Sequence, residues 1–122
     1  MGIIKERFKE KADLASAEIK ELIKEYGNKV IGEVTLSQIY QGMRGMTGLV
    51  TETSLLDAQD GIRFRGYSIT ELQQKLPKAK DGQEPLPEGL FYLMLIGELP
   101  TQEDVNHITN VLQRRSHVPN HV

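Results

Sequence analysis

Three glycines at intervals of three, with an arginine between the first two, form the most distinctive local pattern of this sequence. The glycines are Gly42, Gly45 and Gly48, and the arginine is Arg44. Such spacing suits a loop that needs positive φ angles or a close approach of its backbone. The N–H groups of a glycine loop and one guanidinium can together bind a phosphate or a carboxylate. A purely structural turn explains the same spacing, and because glycine turns are common, the local pattern alone favours that interpretation.

No motif elsewhere in the chain identifies a catalytic reaction. The glycine loop does not end in the Gly-Lys-Ser/Thr of a P-loop, and neither an HExxH sequence nor a Ser-His-Asp set can be assembled. His107 falls beside apolar positions of a predicted helix, so we expect it to be packed or half-buried. His117 and His121 lie near the end without a carboxylate or nucleophile at a useful spacing. Residue types alone therefore do not identify an activity.

Two other basic groups have simpler explanations than a binding site. Arg63 and Arg65 alternate with apolar residues in a predicted hairpin, which is typical of a solvated strand face with ion pairs. Lys75, Lys78 and Lys80 precede acidic residues in a polar segment, where a solvated loop is the expected structure. Neither group is assigned a ligand.

The composition excludes several classes of protein. The 122 residues carry 15 Lys plus Arg against 17 Asp plus Glu, and no basic face that would favour nucleic-acid binding is evident. The absence of cysteine excludes disulfides and zinc–thiolate sites, and three histidines make a His-rich metal site unexpected. The longest apolar run, residues 90–96, is far shorter than the roughly 20 residues that span a membrane. The first residues signal neither secretion nor organelle import, so we expect a soluble intracellular protein.

The elements that must position the glycine loop are helical. Residues 3–26 carry an apolar residue every three or four positions, which predicts an amphipathic helix that ends at Gly27. A second, short helix capped by Thr35 or Ser37 is expected immediately before the loop. At about 1.5 Å per residue the first helix is ~36 Å long, close to the diameter of a compact chain of this size. We therefore expect this helix to lie across something larger than the chain.

The rest of the chain predicts one β-hairpin and three further helices. Residues 50–56 and 62–67 are β-compatible and are separated by a turn signal, so they predict a small antiparallel hairpin. Residues 90–96 are apolar on every side, and such a helix must be covered on every side. The predicted fold class is mainly α, and the pattern indicates an oligomer or a part of a larger domain. The three helices are expected at residues 68–76, 87–96 and 101–115.

Several sequence blocks around and after the glycine loop occur in a familiar order. They begin with YQGMRGMTGLVTETS at residues 40–54 and DGIRFRGYSI at residues 60–69. In order and spacing these blocks resemble the citrate synthases of the eukaryotic, mitochondrial type, and the first helix fits that family more loosely. Several ordered blocks are far more specific than one glycine motif. Shorter blocks of the same resemblance lie at residues 76–80, 84–91 and 97–101.

The resemblance implies a much longer, two-domain helical enzyme that forms a homodimer. Residues 1–122 correspond to an N-terminal part of its large domain. Such enzymes condense acetyl-CoA with oxaloacetate to give citrate and CoA, the entry step of the tricarboxylic acid cycle. They use no metal and no cofactor, since coenzyme A enters as part of the substrate. Their acid/base residues, two histidines and an aspartate, are expected downstream of Val122, so this segment alone is expected to be inactive.

The resemblance assigns one site residue. The arginine of the Gly-Met-Arg-Gly-Met block contributes to the CoA phosphate site in the family, and the matching residue is Arg44. A guanidinium matches phosphate geometry well, so the resemblance favours a phosphate contact over a purely structural turn. Thr47 replaces a residue that is often basic in the family, which slightly weakens the local positive field. Arg63 and Arg65 match a family block but keep their structural interpretation.

Two alternatives to a citrate synthase segment stay open. The first is a segment of a 2-methylcitrate synthase, which takes propionyl-CoA through an acyl pocket outside these residues. The second is a stand-alone helical module for dimerisation or binding that keeps the anion site. The missing presequence favours the cytoplasm of a bacterium or archaeon, whereas a eukaryotic protein trimmed of its presequence belongs in the mitochondrial matrix. Neither a nucleic acid nor a membrane is expected as a partner.

Overall fold

The computed structural model describes residues 2–46 and 48–118 and confirms the mainly α fold class. Thr47 and His121 lie outside the described residues. This part of the chain contains five helices and one sheet of three short antiparallel strands. The helices are α1 (Gly2–Tyr26), α2 (Leu36–Tyr40), α3 (Ile69–Lys75), α4 (Pro87–Ile96) and α5 (Gln102–Arg115). The strands are β1 (Ser54–Asp57), β2 (Gly61–Phe64) and β3 (Tyr67–Ser68).

The chain divides into two compact units, and α1 contributes residues to both. The first unit comprises Met1–Lys9 and Glu52–Val122, and the second comprises Glu10–Thr51. The sheet and helices α3 to α5 belong to the first unit, whereas α2 and the glycine loop belong to the second. Each unit is described separately below.

The core of the first unit lies around α4. Leu93 of α4 is completely buried and packs with residues of α3, while Ile96 packs with α5 on another face of the same helix. This arrangement explains why the sequence of α4 is apolar on several sides. The surface of α4 is not completely buried, because Phe91 remains 49% exposed. The buried hydrophobic residues are Leu72, Leu76, Tyr92, Leu93, Ile96, Val105 and Ile108.

The first turns of α1 attach to α4 and α5 through one apolar and one charged contact. Ile4 packs against the buried cluster that contains Tyr92. Nη1 of Arg7 donates hydrogen bonds to the Tyr92 hydroxyl, at 2.5 Å, and to Oδ1 of Asp104, at 2.6 Å. These contacts join residues that are up to 97 positions apart in the sequence. Local sequence patterns therefore could not predict them.

The sheet is built on a tight turn between β1 and β2. The carboxylate of Asp57 accepts hydrogen bonds from the backbone N–H groups of Asp60 and Gln59, both at 2.8 Å. These bonds stabilise the ionised carboxylate and lower the pKa of Asp57. The predicted hairpin is confirmed, with Leu55 paired to Arg63, but its strands are shorter than the β-compatible runs.

Two details of the sheet differ from the sequence prediction. Strand β3 pairs with β2 and was not predicted, because two residues are too few to carry an alternating pattern. Arg65 does not lie on a strand face beside Arg63. It occupies the turn between β2 and β3, with a left-handed φ of 48°, and is followed by Gly66 at φ 85°. Two consecutive left-handed residues reverse the chain there.

The second unit contains most of α1, whose length and end were predicted correctly. The 25-residue helix ends where the N–H of Gly27 donates to the carbonyl of Ile23 at 2.8 Å. Its apolar side chains within the unit are exposed, in agreement with a helix that needs further cover. They include Leu14, Ile19, Leu22, Ile23 and Tyr26. Among the described residues, no helix combines the length and apolar character needed to cross a bilayer.

Candidate functional site

A capped helix leads directly into the glycine loop. The hydroxyl of Thr35 accepts a hydrogen bond from the backbone N–H of Gln38, at 3.3 Å. Oε1 of Gln38 in turn accepts from the backbone N–H of Thr35, at 3.0 Å, and from its hydroxyl, at 3.2 Å. This reciprocal capping box starts α2 at Leu36, so Thr35 rather than Ser37 is the cap. The Thr-x-x-Gln spacing is the sequence signal for Gln38, which was not among the predicted site residues.

The loop after α2 is a run of left-handed residues held by backbone hydrogen bonds. Gly42, Met43 and Gly45 have φ angles of 77°, 60° and 74°. Left-handed backbone is readily available to glycine, which explains two of the three glycines in the pattern. The N–H of Met43 donates to the carbonyl of Gln38 at 2.7 Å, and the N–H of Met46 donates to the carbonyl of Met43 at 3.3 Å. The loop is thus tied back to α2.

Arg44 lies at the exposed centre of this loop. Within residues 2–46 and 48–118 its guanidinium makes no hydrogen bond, ion pair or ring contact, and the residue is exposed. Unlike Arg7 and Arg65, Arg44 is therefore not committed to a structural contact in the described part of the chain. An exposed, unpaired guanidinium on a constrained loop is available to an anionic ligand.

A small cleft beside the loop has a different character. It has a volume of about 160 Å³, and Glu33 brings a carboxylate to its lining. That carboxylate disfavours an anion inside the cleft, since two negative charges would repel each other. A phosphate bound by Arg44 is therefore expected outside it. The lining residues are Ile31, Gly32, Glu33, Val34, Gly45 and Met46.

The ion pairs expected of Arg63 and Arg65 are present, although Arg65 makes its pair from a turn and not from a strand face. Arg63 pairs with the carboxylates of Asp60, at 3.6 Å, and Glu71, at 3.9 Å. Arg65 lies 3.7 Å from the carboxylate of Glu52, and its guanidinium also donates to a carbonyl of α4. Both cations thus have partners within the first unit.

The lysine cluster is largely solvated, as expected. The Lys75 ammonium lies 4.8 Å from the centre of the Tyr67 ring, a cation–π contact. Lys80 is exposed, and Lys78 is half-buried near the isolated bridge that it forms with Pro85. Lys78 and Lys80 also line an open cavity of about 390 Å³ together with Gln102 and Asn106, and neither the sequence nor the resemblance assigns a ligand to it.

The described histidines do not form a catalytic group. His107 is half-buried on α5, as the sequence predicts, and His117 is exposed after the end of that helix. Among the described residues no three His, Cys, Asp or Glu side chains lie close enough together to hold a metal ion. The glycine loop with Arg44 therefore remains the candidate site of this chain.

The comparisons with known proteins concern the same loop and the elements that follow it. A sequence model of the family described as "Citrate synthase, C-terminal domain" matches residues 42–122 and so begins at the first glycine of the loop. The chain is 53% identical over 114 residues to "Citrate synthase, mitochondrial" of Xiphias gladius and of Kajikia audax. Each of these matches covers 91% of the chain and 24% of the relative.

A relative from a distant organism matches equally well. The chain is 53% identical over 119 residues to "Citrate synthase, mitochondrial" of Saccharomyces cerevisiae (strain ATCC 204508 / S288c), covering 98% of the chain and 25% of that relative. The chain thus spans about a quarter of the length of these curated relatives. The family match extends over roughly two thirds of the chain, and the identity of the relatives extends over nearly all of it. This chain therefore belongs to the citrate synthase family.

Proposed function

We propose that this chain is an N-terminal part of the large domain of a citrate synthase, which condenses acetyl-CoA with oxaloacetate to give citrate and CoA. The observation that carries the proposal is the 53% identity over 91–98% of the chain to relatives named "Citrate synthase, mitochondrial". The relatives are about four times longer, so the catalytic acid/base residues are assigned to the remaining sequence.

The proposed contribution of this chain to the reaction is one binding contact to the coenzyme. Arg44 binds a phosphate of CoA and so helps to position the acetyl thioester, without taking part in bond making. The exposed guanidinium supports this role, since it has no competing partner among the described residues. The left-handed backbone at Gly42 and Gly45 supports it further, because a constrained loop loses less freedom when the ligand binds. The proposed reaction uses neither a metal nor a further cofactor.

The proposed assembly is a homodimer in the mitochondrial matrix. The exposed apolar side chains of α1 are consistent with burial against more protein in the complete molecule. The names of three relatives support a mitochondrial location, since each is described as mitochondrial.

The test is a thiol-release assay on two proteins. The full-length protein encoded by the gene that contains this sequence is expected to release CoA from acetyl-CoA only when oxaloacetate is present. The chain of residues 1–122 is expected to release none under the same conditions. A preference of the full-length protein for propionyl-CoA would identify a 2-methylcitrate synthase instead. Robust turnover by the 122-residue chain would contradict the assignment of the catalytic residues to the remaining sequence.

A further inference from the structure

We propose that the side-chain amide of Gln38 is a second hydrogen-bond donor to the CoA phosphate bound by Arg44. This inference rests on the proposed function, because it needs the glycine loop to be a phosphate site. It is carried by the contacts of Gln38 itself, a half-buried residue of α2.

The capping box fixes which end of the Gln38 amide faces the loop. Both the N–H and the hydroxyl of Thr35 donate to Oε1 of Gln38, and only the carbonyl end of an amide can accept these bonds. The oxygen is thereby assigned to the Thr35 side. The amide nitrogen must point the other way, since it is bonded to the same carbon.

The amide nitrogen of Gln38 then lies beside the glycine loop. A β-carbon built on Gly45 would be 4.0 Å from Nε2 of Gln38. In the described part of the chain Nε2 has no acceptor, so its two N–H groups are available to a ligand. Gly45 directly follows Arg44, so the amide nitrogen lies beside the residue next to the one that carries the guanidinium. A phosphate can accept from both at once, because it has several acceptor oxygens.

Gln38 has a second connection to the loop, through its backbone. Its carbonyl accepts from the N–H of Met43 at 2.7 Å, immediately before Arg44. The main chain of Gln38 therefore holds the loop, whereas its side-chain nitrogen lies beside Gly45. A test must separate the donor role of the side chain from its structural role in the capping box.

Two substitutions of Gln38 separate these roles. Gln38→Glu keeps the capping box, because glutamate accepts from Thr35 as glutamine does, but it replaces the N–H donor with a negative oxygen. Gln38→Met removes both the cap and the donor while keeping the length of the side chain. Ser37→Glu is the matched control for charge, since it adds a carboxylate at the preceding residue and leaves the Gln38 amide in place.

The variants are compared in the full-length protein by the KM for acetyl-CoA, the KM for oxaloacetate, kcat and the melting temperature. If Gln38 donates to the phosphate, Gln38→Glu raises the KM for acetyl-CoA roughly tenfold, and more than Gln38→Met does. Its kcat, its KM for oxaloacetate and its melting temperature stay near those of the wild type. Ser37→Glu raises the KM for acetyl-CoA by less than half as much.

Two other results would overturn the inference. If Gln38→Met is the weaker binder and Gln38→Glu binds acetyl-CoA as the wild type does, the residue acts only through the capping box. Equal effects of Gln38→Glu and Ser37→Glu would assign the change to added charge alone. Arg44→Ala, measured in parallel, distinguishes these failures from that of the proposed site. If Arg44→Ala also leaves the KM unchanged, the loop does not bind CoA and both proposals are wrong.

Discussion

The guanidinium of Arg65 closes the C-terminal end of α4 by donating two hydrogen bonds to the carbonyl of Met94. The bond from Nη2 is 2.8 Å long and the bond from Nε is 3.2 Å long. Met94 lies in the last turn of α4, where carbonyl groups have no partner within the helix. A cation at this end also interacts favourably with the helix dipole. One side chain from the sheet thus stabilises the helix at the centre of the core.

Arg65→Ala is therefore expected to lower the free energy of unfolding by about 1–2 kcal/mol, because it leaves the Met94 carbonyl without its charged donor. Arg63→Ala is the control, since the ion pairs of Arg63 are exposed and longer than 3.5 Å. It should cost less than about 1 kcal/mol. Chemical denaturation of the chain measures both, and equal losses for the two variants would contradict the helix-capping role.

Arg44→Ala in the full-length protein is expected to raise the KM for acetyl-CoA without changing the KM for oxaloacetate. The loss of one charge-assisted contact to phosphate corresponds to about 1–2 kcal/mol, or roughly a 5- to 30-fold change. Lys29→Ala is the control, because it removes a positive charge from the same unit outside the loop. Steady-state kinetics with each substrate varied in turn would detect the difference, and an equal rise for both substrates would rule out a specific CoA contact.

A glycine within α4 and the glycine that caps its C-terminal end are expected to respond to alanine in opposite ways. Gly89 has helical neighbours, and an added β-carbon would meet Leu76 at 3.5 Å and Val105 at 3.6 Å, which are ordinary contacts. Gly89→Ala should therefore stabilise the chain by roughly 0.5–1 kcal/mol through its better helix propensity. Gly97 caps the helix at φ 85°, so Gly97→Ala should cost about 1–2 kcal/mol. Thermal unfolding of both variants tests the pair, and destabilisation by Gly89→Ala would reveal a tighter core than described.

Glu71 is expected to make the stability of the chain depend on pH. The backbone N–H of Ser68 donates to its carboxylate at 2.8 Å and the Ser68 hydroxyl at 2.9 Å, and these bonds lower the pKa of Glu71. A lowered pKa in the folded state gives stability that is present above the unfolded value, about 4.3. That stability is lost as the pH falls through the folded pKa.

The matching experiment compares the wild type with Glu71→Gln between pH 7 and pH 3. The wild type should be the more stable protein at neutral pH, and its advantage should shrink as the carboxyl becomes protonated. Glu84→Gln removes the same charge from an exposed loop and corrects for net charge. An advantage that stayed constant over this range would show that ionisation of Glu71 does not contribute.

Much of the helical architecture follows from residues that restrict their own backbone. Pro87 begins α4 and Gly97 ends it, as predicted, because proline suits a first helical turn and glycine readily adopts the left-handed cap. Ser68 and Thr101 cap α3 and α5 for a similar local reason, as both form capping boxes with the residue three positions on. These elements could be predicted because each signal lies within a few residues of its effect.

The contacts between elements could not be predicted from local patterns. The bond from Arg7 to Asp104 and the bonds from Arg65 to Met94 join residues that are 97 and 29 positions apart. The candidate site could be predicted only in part from local patterns. The glycine spacing predicted a constrained loop, but the phosphate role of Arg44 came from the resemblance, since a guanidinium alone does not specify its ligand. The Thr-x-x-Gln spacing could have predicted the capping role of Gln38, whereas the position of its amide nitrogen beside Gly45 could not be predicted from that spacing.

The capping box at Thr35 has a consequence beyond the start of a five-residue helix. An amide group looks nearly the same after half a rotation, yet one orientation offers protons and the other offers lone pairs. Thr35→Val would keep the shape of the side chain and remove the hydroxyl donor, so that the orientation of the Gln38 amide would depend on the backbone N–H of residue 35 alone. The backbone and the hydroxyl of one threonine thus act together to set which end of a neighbouring amide faces Gly45.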